Sequence, residues 1–228
     1  MDESDEVLEQ AVWNVTFLSD YQSLKTKFIL TLMTEYDAGR QITPELLVET
    51  QIGYLDCFVG VKELGKNSGK EVEKFQDFTH TRGQAWGTSF LSFILNDGIR
   101  GVLNEFSPVH AFPIIIPMTG TAQKVLAYAD KEGLLSSEPK PGDLAVVKHN
   151  LKTHIEGVLS VDDEKCKYVA IGGNISIKGN LGGDGIYRVS RSFKPGPICP
   201  EKSFVSTFID TYTIYEKLIE GRKNEPNL

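Results

Sequence analysis

The sequence predicts an α+β domain in which helices come first and a small antiparallel sheet second. Two observations carry that expectation. Up to about residue 133 the apolar residues recur at steps of three and four, the spacing of one helical face. From Asp143 to Arg191 they gather instead in short, β-branched-rich segments divided by Gly, Asn and Asp. A run of helices followed by a run of strands is the pattern of helices laid on one side of an antiparallel sheet.

The elements follow in order. Phe17, Tyr21, Leu24, Phe28, Leu32 and Tyr36 make one amphipathic stripe, which Asp37, Ala38 and Gly39 close. Thr43 is an N-cap with Pro44 at the first helical position, and Val48, Ile52, Leu55 and Val59 carry that helix to about Lys62. Gly65 to Gly69 is loop chemistry, after which Val72 and Phe75 begin a short third helix. A further helix spans 88–96. Ser107 to Thr119 is apolar but interrupted by proline, and Thr121 to Gly133 is a helix closed by its glycine. Strands are expected at Asp143–Lys148, Ile155–Val161, Tyr168–Ile171 and Ile186–Arg191. Gly182, Gly183, Asp184 and Gly185 read as a hairpin loop and not a phosphate cradle, since no helix follows them. Beyond Pro195-Gly196-Pro197 a last amphipathic helix uses Phe204, Phe208, Tyr212, Tyr215 and Ile219.

With 228 residues, 40% hydrophobic and 24% charged, the chain has the make-up of a folded globular protein. Its net charge of −7 argues against binding a phosphate backbone, which needs clustered Lys and Arg. No apolar run approaches the roughly 18 residues of a membrane span. The first six residues carry Asp and Glu where a signal peptide carries Lys or Arg, so synthesis in a cytoplasm without a signal peptide is expected. Cys57, Cys166 and Cys199 are odd in number and lack CxxC spacing, which indicates neither a disulfide framework nor a zinc site. His80, His110 and His149 show no ligand spacing with acids, and neither metal nor cofactor is expected.

Several segments together resemble a known family. They are Gly60 to Glu63 followed by Gly65 to Gly69, Trp86 with Phe90 on a helix, and Lys140-Pro141-Gly142-Asp143 opening a strand. His154-Ile155 with Gly157-Val158 in the next strand, and Gly173-Asn174 at a strand end, complete the set. In this order they resemble the CHAP and NlpC/P60 cysteine peptidoglycan hydrolases of phage lysins and bacterial wall remodelling, over about residues 45–192. The resemblance implies a papain-like domain at 43–195, an N-terminal helical extension at 1–42 and a C-terminal helix and tail at 196–228, whose extra helices are expected to dock protein partners. It also implies a nucleophilic Cys at a helix start, where the dipole and free N–H groups favour thiolate, with a His across the cleft and a Glu or Asn orienting it.

Carried over residue by residue, the pattern is incomplete. The family's Trp-Cys, two small residues and Phe are met here by Trp86-Gly87-Thr88-Ser89-Phe90, so Gly87 stands at the nucleophile position. His154 falls at the family's base. The orienting segment, commonly Glu-Gly-Asn, reads Gly172-Gly173-Asn174, which leaves Asn174 and puts glycine at the acid position. Thr88 and Ser89 carry hydroxyls but lie about 100° and 200° around the helix from Gly87. Trp86 is expected to fill the core or the cleft wall. The leading expectation is therefore a degenerate hydrolase kept as a structural or wall-binding module, set in a phage particle or phage-derived assembly. The alternative is an active wall amidase or endopeptidase with a different nucleophile, or an inactivated variant of one. A third reading is a wall-recognition domain whose cleft accepts peptidoglycan or muropeptide without cutting it.

Overall fold

The computed structural model describes residues 21–35, 38, 41–107, 111–149, 152–193 and 206–223. Phe17, Tyr36, Gly39, His110, Pro195, Cys199, Phe204 and the acidic first residues lie outside them.

Helix α1 covers residues 21–35, and its apolar stripe enters the core: Tyr21, Phe28 and Leu32 are buried. The Tyr21 ring packs on Phe58 and Tyr54 at 5.1 and 5.5 Å between centroids. The segment expected as an extension is therefore a layer of the same core. Helix α2, Pro44–Cys57, starts as its residues require, with Thr43 Oγ1 accepting the Leu46 amide and Pro44 in the first turn. It stops at Cys57 and not near Lys62. Helix α3, Lys70–Phe78, inserts Val72 and Phe75.

Helix α4, Gly87–Phe93, is buried along its whole length and continues as a π-helix over Ile94–Arg100 and as α5 over Gly101–Phe106. The helix expected over 88–96 therefore runs on past its expected end. In the fold, Asn96 is buried, with Nδ2 donating to the Ser92 and Ile116 carbonyls and Oδ1 accepting the Ile115 amide. It thus fastens the Pro-rich segment to the helix. Helix α6, Ala122–Lys131, closes before Gly133, which takes the left-handed φ of 66° that favours glycine.

Among the described residues six strands form one sheet: β1 Leu135–Ser136, β2 Leu144–His149, β3 Lys152–Asp162, β4 Lys167–Ile175, β5 Gly185–Ser192 and β6 Ser206–Ile209. Their order is β1-β6-β2-β3-β4-β5, and every pairing is antiparallel. The fold is accordingly α+β. The helix expected on Phe204 to Ile219 needs correcting: Phe208 belongs to β6, which pairs with β2, and helix α7 runs over Thr211–Lys223. Phe208, Tyr212 and Tyr215 keep helical spacing, and a four-residue strand is too short to display a period of two. The C-terminal segment expected outside the domain hence supplies an internal strand. Helix α7 returns to α2, where Tyr215 donates to Gln51 Oε1 at 2.7 Å, and Gln51 and Thr211 both donate to the Gly142 carbonyl.

The sheet has two buried faces. Leu144, Val146, Ile155, Ile171, Ile186 and Ile209 point to the helices. There Tyr21, Tyr54, Phe58, Phe75, Phe90 and Phe93 make an aromatic cluster, each buried ring contributing about 2–3 kcal/mol. Ala145, Val158, Tyr168, Ala170, Val189 and Phe208 form the second face. In a flat sheet β4 and β6 would lie about 14 Å apart. The Tyr168 and Phe208 rings nevertheless meet edge to face at 5.3 Å, so the sheet curls around this second cluster.

Candidate functional site

The site lies where the start of α4 meets the beginning of β3 and the end of β4. Trp86 precedes α4 and is fully buried; its ring stacks on Phe75 at 6.0 Å and its Nε1 donates to Glu63 Oε2 at 3.0 Å. It is part of the wall that fixes the helix start.

Gly87 opens the helix with its Cα against the His154 ring. An ideal Cβ on residue 87 would fall 2.4 Å from His154 Cε1, 3.2 Å from Nδ1 and 2.5 Å from the Gly173 carbonyl oxygen. Gly173 permits the same close approach from the strand side, since a Cβ there would lie 2.9 Å from Trp86 and 3.1 Å from Phe90. Two glycines thus let β4 and the His154 ring close directly onto the helix start, and no room is left for a side chain at 87.

The hydroxyls of the two residues after Gly87 are both buried. Ser89 is fully buried and its Oγ lies 2.8 Å from Thr79 Oγ1 and 3.0 Å from Thr81 Oγ1, a local knot that ties α4 to the end of α3. Thr88 is also buried.

His154 is 9% exposed. Burial holds its pKa below the ordinary imidazole value; Glu156 pulls it back up, and the guanidinium of Arg191 adds to the lowering. The ring is therefore neutral at pH 7. Its Nε2 points toward Glu156 Oε1 at 4.0 Å and has no hydrogen-bond partner among the described residues.

Glu156 belongs to this candidate site, and the resemblance to the hydrolase family does not point to it. It sits two residues along β3 from His154, hence on the same side of the strand. It is fully buried and held by Arg191 of β5, whose Nε donates to Oε2 at 2.6 Å and whose Nη2 donates to Oε1 and to the Gly179 carbonyl. Alternation along β3 is the sequence signal that could have found it.

Gly172, at the expected acid position, faces this pair. A Cβ there would meet Ile175 Cδ1 at 3.0 Å, Glu156 Cγ at 3.1 Å and Glu156 Oε1 at 3.2 Å. Glu156 occupies the volume that a side chain at 172 would enter. Asn174 takes a different part from the orienter expected of it. It adopts φ 57°, and its Nδ2 donates to the Gly183 carbonyl at 3.0 Å and to Asn67 Oδ1 at 3.4 Å, holding loops together while making no hydrogen bond to His154.

Cys57 ends α2, and Cys166 lies in the β3–β4 turn, at the opposite end of β3 from His154. No group of His, Cys, Asp and Glu suited to a metal ion occurs among the described residues, and no helix among them is long and apolar enough to cross a membrane. Compared with known protein families, curated proteins and solved structures, the chain matches none.

Proposed function

We propose that the chain is a catalytically silent relative of the papain-like CHAP and NlpC/P60 peptidoglycan hydrolases, kept as a wall-binding module. The observation that carries this is the packing of His154 on Gly87: a neutral imidazole stands beside a helix start, as a base would, and occupies the space a nucleophile would need. A covalent mechanism without its nucleophile loses close to the whole effect of its catalytic unit. Rescue by Ser89 would require its hydroxyl to leave Thr79 and Thr81 and to turn through the helix, and a hydroxyl needs stronger activation than a thiol. The family reading draws further support from the Pro141-Gly142-Asp143 turn into β2, the His154 strand beside it and the curled antiparallel sheet.

The test is to mix purified chain with insoluble peptidoglycan and to follow both co-sedimentation and release of soluble fragments. Co-sedimentation without release is expected. Release of fragments would establish an active enzyme with another nucleophile, and absence of both would remove the wall from the account.

A further inference from the structure

The imidazole of His154 lies between two unlike neighbours. On its Nδ1 side is the start of α4, where the Cβ position of residue 87 is 3.2 Å from Nδ1. On its Nε2 side is the buried carboxylate of Glu156, with Oε1 4.0 Å away. Nε2 is itself buried and makes no hydrogen bond among the described residues.

A neutral imidazole carries one proton, and its surroundings decide which nitrogen holds it. With the proton on Nδ1, the Nε2 lone pair would face a carboxylate oxygen across a buried gap, and two negative ends would repel. With the proton on Nε2, an N–H dipole turns its positive end to the same oxygen. The gap is too long for a direct hydrogen bond, so the preference is one of charge and dipole, and it is strengthened where little water screens it.

The carboxylate is fixed in turn. Arg191 donates Nε to Oε2, and Nη2 to Oε1 and to the Gly179 carbonyl, which holds Oε1 in place and supplies the counter-charge. Each carboxylate oxygen can accept a second donor. Neither Asn174 nor residue 172 takes this part: the Asn174 amide turns to Gly183 and Asn67, and the Cβ position of Gly172 lies 3.2 Å from Glu156 Oε1.

We infer that Glu156, held by Arg191, is a positioning residue for His154, which keeps the ring proton on Nε2 and leaves the Nδ1 lone pair on the side of α4. The ring is thereby set to accept a proton from the helix side. This tautomer stands whether or not the chain binds peptidoglycan. For the function proposed above it means that an orienting carboxylate is present, on β3, and that the nucleophile alone is missing.

Long-range proton–nitrogen correlation of the histidine rings reports the tautomer, with the His154 signal assigned by its loss in His154→Gln. Exposed His80 provides a mixed-tautomer reference in the same spectrum. At about pH 8, above the ordinary imidazole value, native His154 should show the Nε2–H form alone. In a Glu156→Leu, Arg191→Met variant, whose folding is checked by its thermal melt, both ring nitrogens should shift toward the His80 pattern. A native ring that is mixed or protonated on Nδ1 overturns the inference, and so does an unchanged tautomer in the folded variant. If the variant does not fold, the native protein decides alone. A nuclear Overhauser contact from the Nε2 proton to the Glu156 side chain is expected, and an Nε2 proton without that contact overturns the inference.

Discussion

The ring of His154 and the Cα of Gly87 are in such close contact that a β-carbon on residue 87 would fall 2.4 Å from His154 Cε1. The space that a side chain at residue 87 would need is taken by the His154 ring and the Gly173 carbonyl. Introducing a thiol there is therefore a steric problem as well as a chemical one.

Gly87→Cys and Gly87→Ala are expected to lose about 2 kcal/mol or more of stability, because the new Cβ must displace the ring and the Gly173 carbonyl, which belongs to the backbone. Gly53→Ala is the control: nothing lies within 4 Å of its Cβ position inside α2, so that change should gain up to about 1 kcal/mol. Urea unfolding midpoints read both.

Glu156→Gln should cost about 3 kcal/mol, since it leaves the Arg191 guanidinium buried without its counter-charge. Replacing both, Glu156→Leu with Arg191→Met, should cost less than either single change. A double-mutant cycle on chemical denaturation measures the coupling.

Ser89→Ala should destabilise by about 1–2 kcal/mol by leaving Thr79 and Thr81 without their shared partner. It should leave peptidoglycan binding unchanged, as a sedimentation assay would show. A specific loss of activity on this change would mark Ser89 as a nucleophile.

Two buried groups set opposing pH dependences. Burial pushes the Asp143 carboxyl up to about 7, with Asp210 adding to the rise and the Lys140 amide countering it. The folded chain keeps that proton while the unfolded chain releases it near pH 4, so this contribution falls as pH rises from about 4 to about 7. His154 is held neutral by burial, and the unfolded chain takes up its proton below about pH 6.5, so its contribution is present above that value and lost on acidification. Relative to the native chain, Asp143→Asn should gain stability between about pH 4.5 and about pH 7.5. His154→Gln should lose less than the native chain on acidification. Unfolding midpoints across pH test both signs.

How much of this was legible in the sequence varies with the kind of signal. Apolar residues at helical steps place α1, α2 and α6, and the Thr43-Pro44 cap marks its helix start correctly. Phe208 misleads because a residue four before Tyr212 satisfies a helix and a short strand alike. The part played by Asn96 is hidden because the loop that its buried amide fastens is distant in sequence. At the site, motif register brings His154 and Gly87 to one place. It assigns the orienter to Asn174, whose amide turns to Gly183, and passes over Glu156, whose partner Arg191 comes from a strand 35 residues away. A buried ion pair across strands depends on register that no single segment records.

Release of soluble fragments from purified peptidoglycan by the native chain tests the central claim most directly. The packing of His154 on Gly87 predicts release no greater than that of a buffer blank over a prolonged incubation. Release that grows with time and protein concentration would show that the site still cuts, and would contradict the claim.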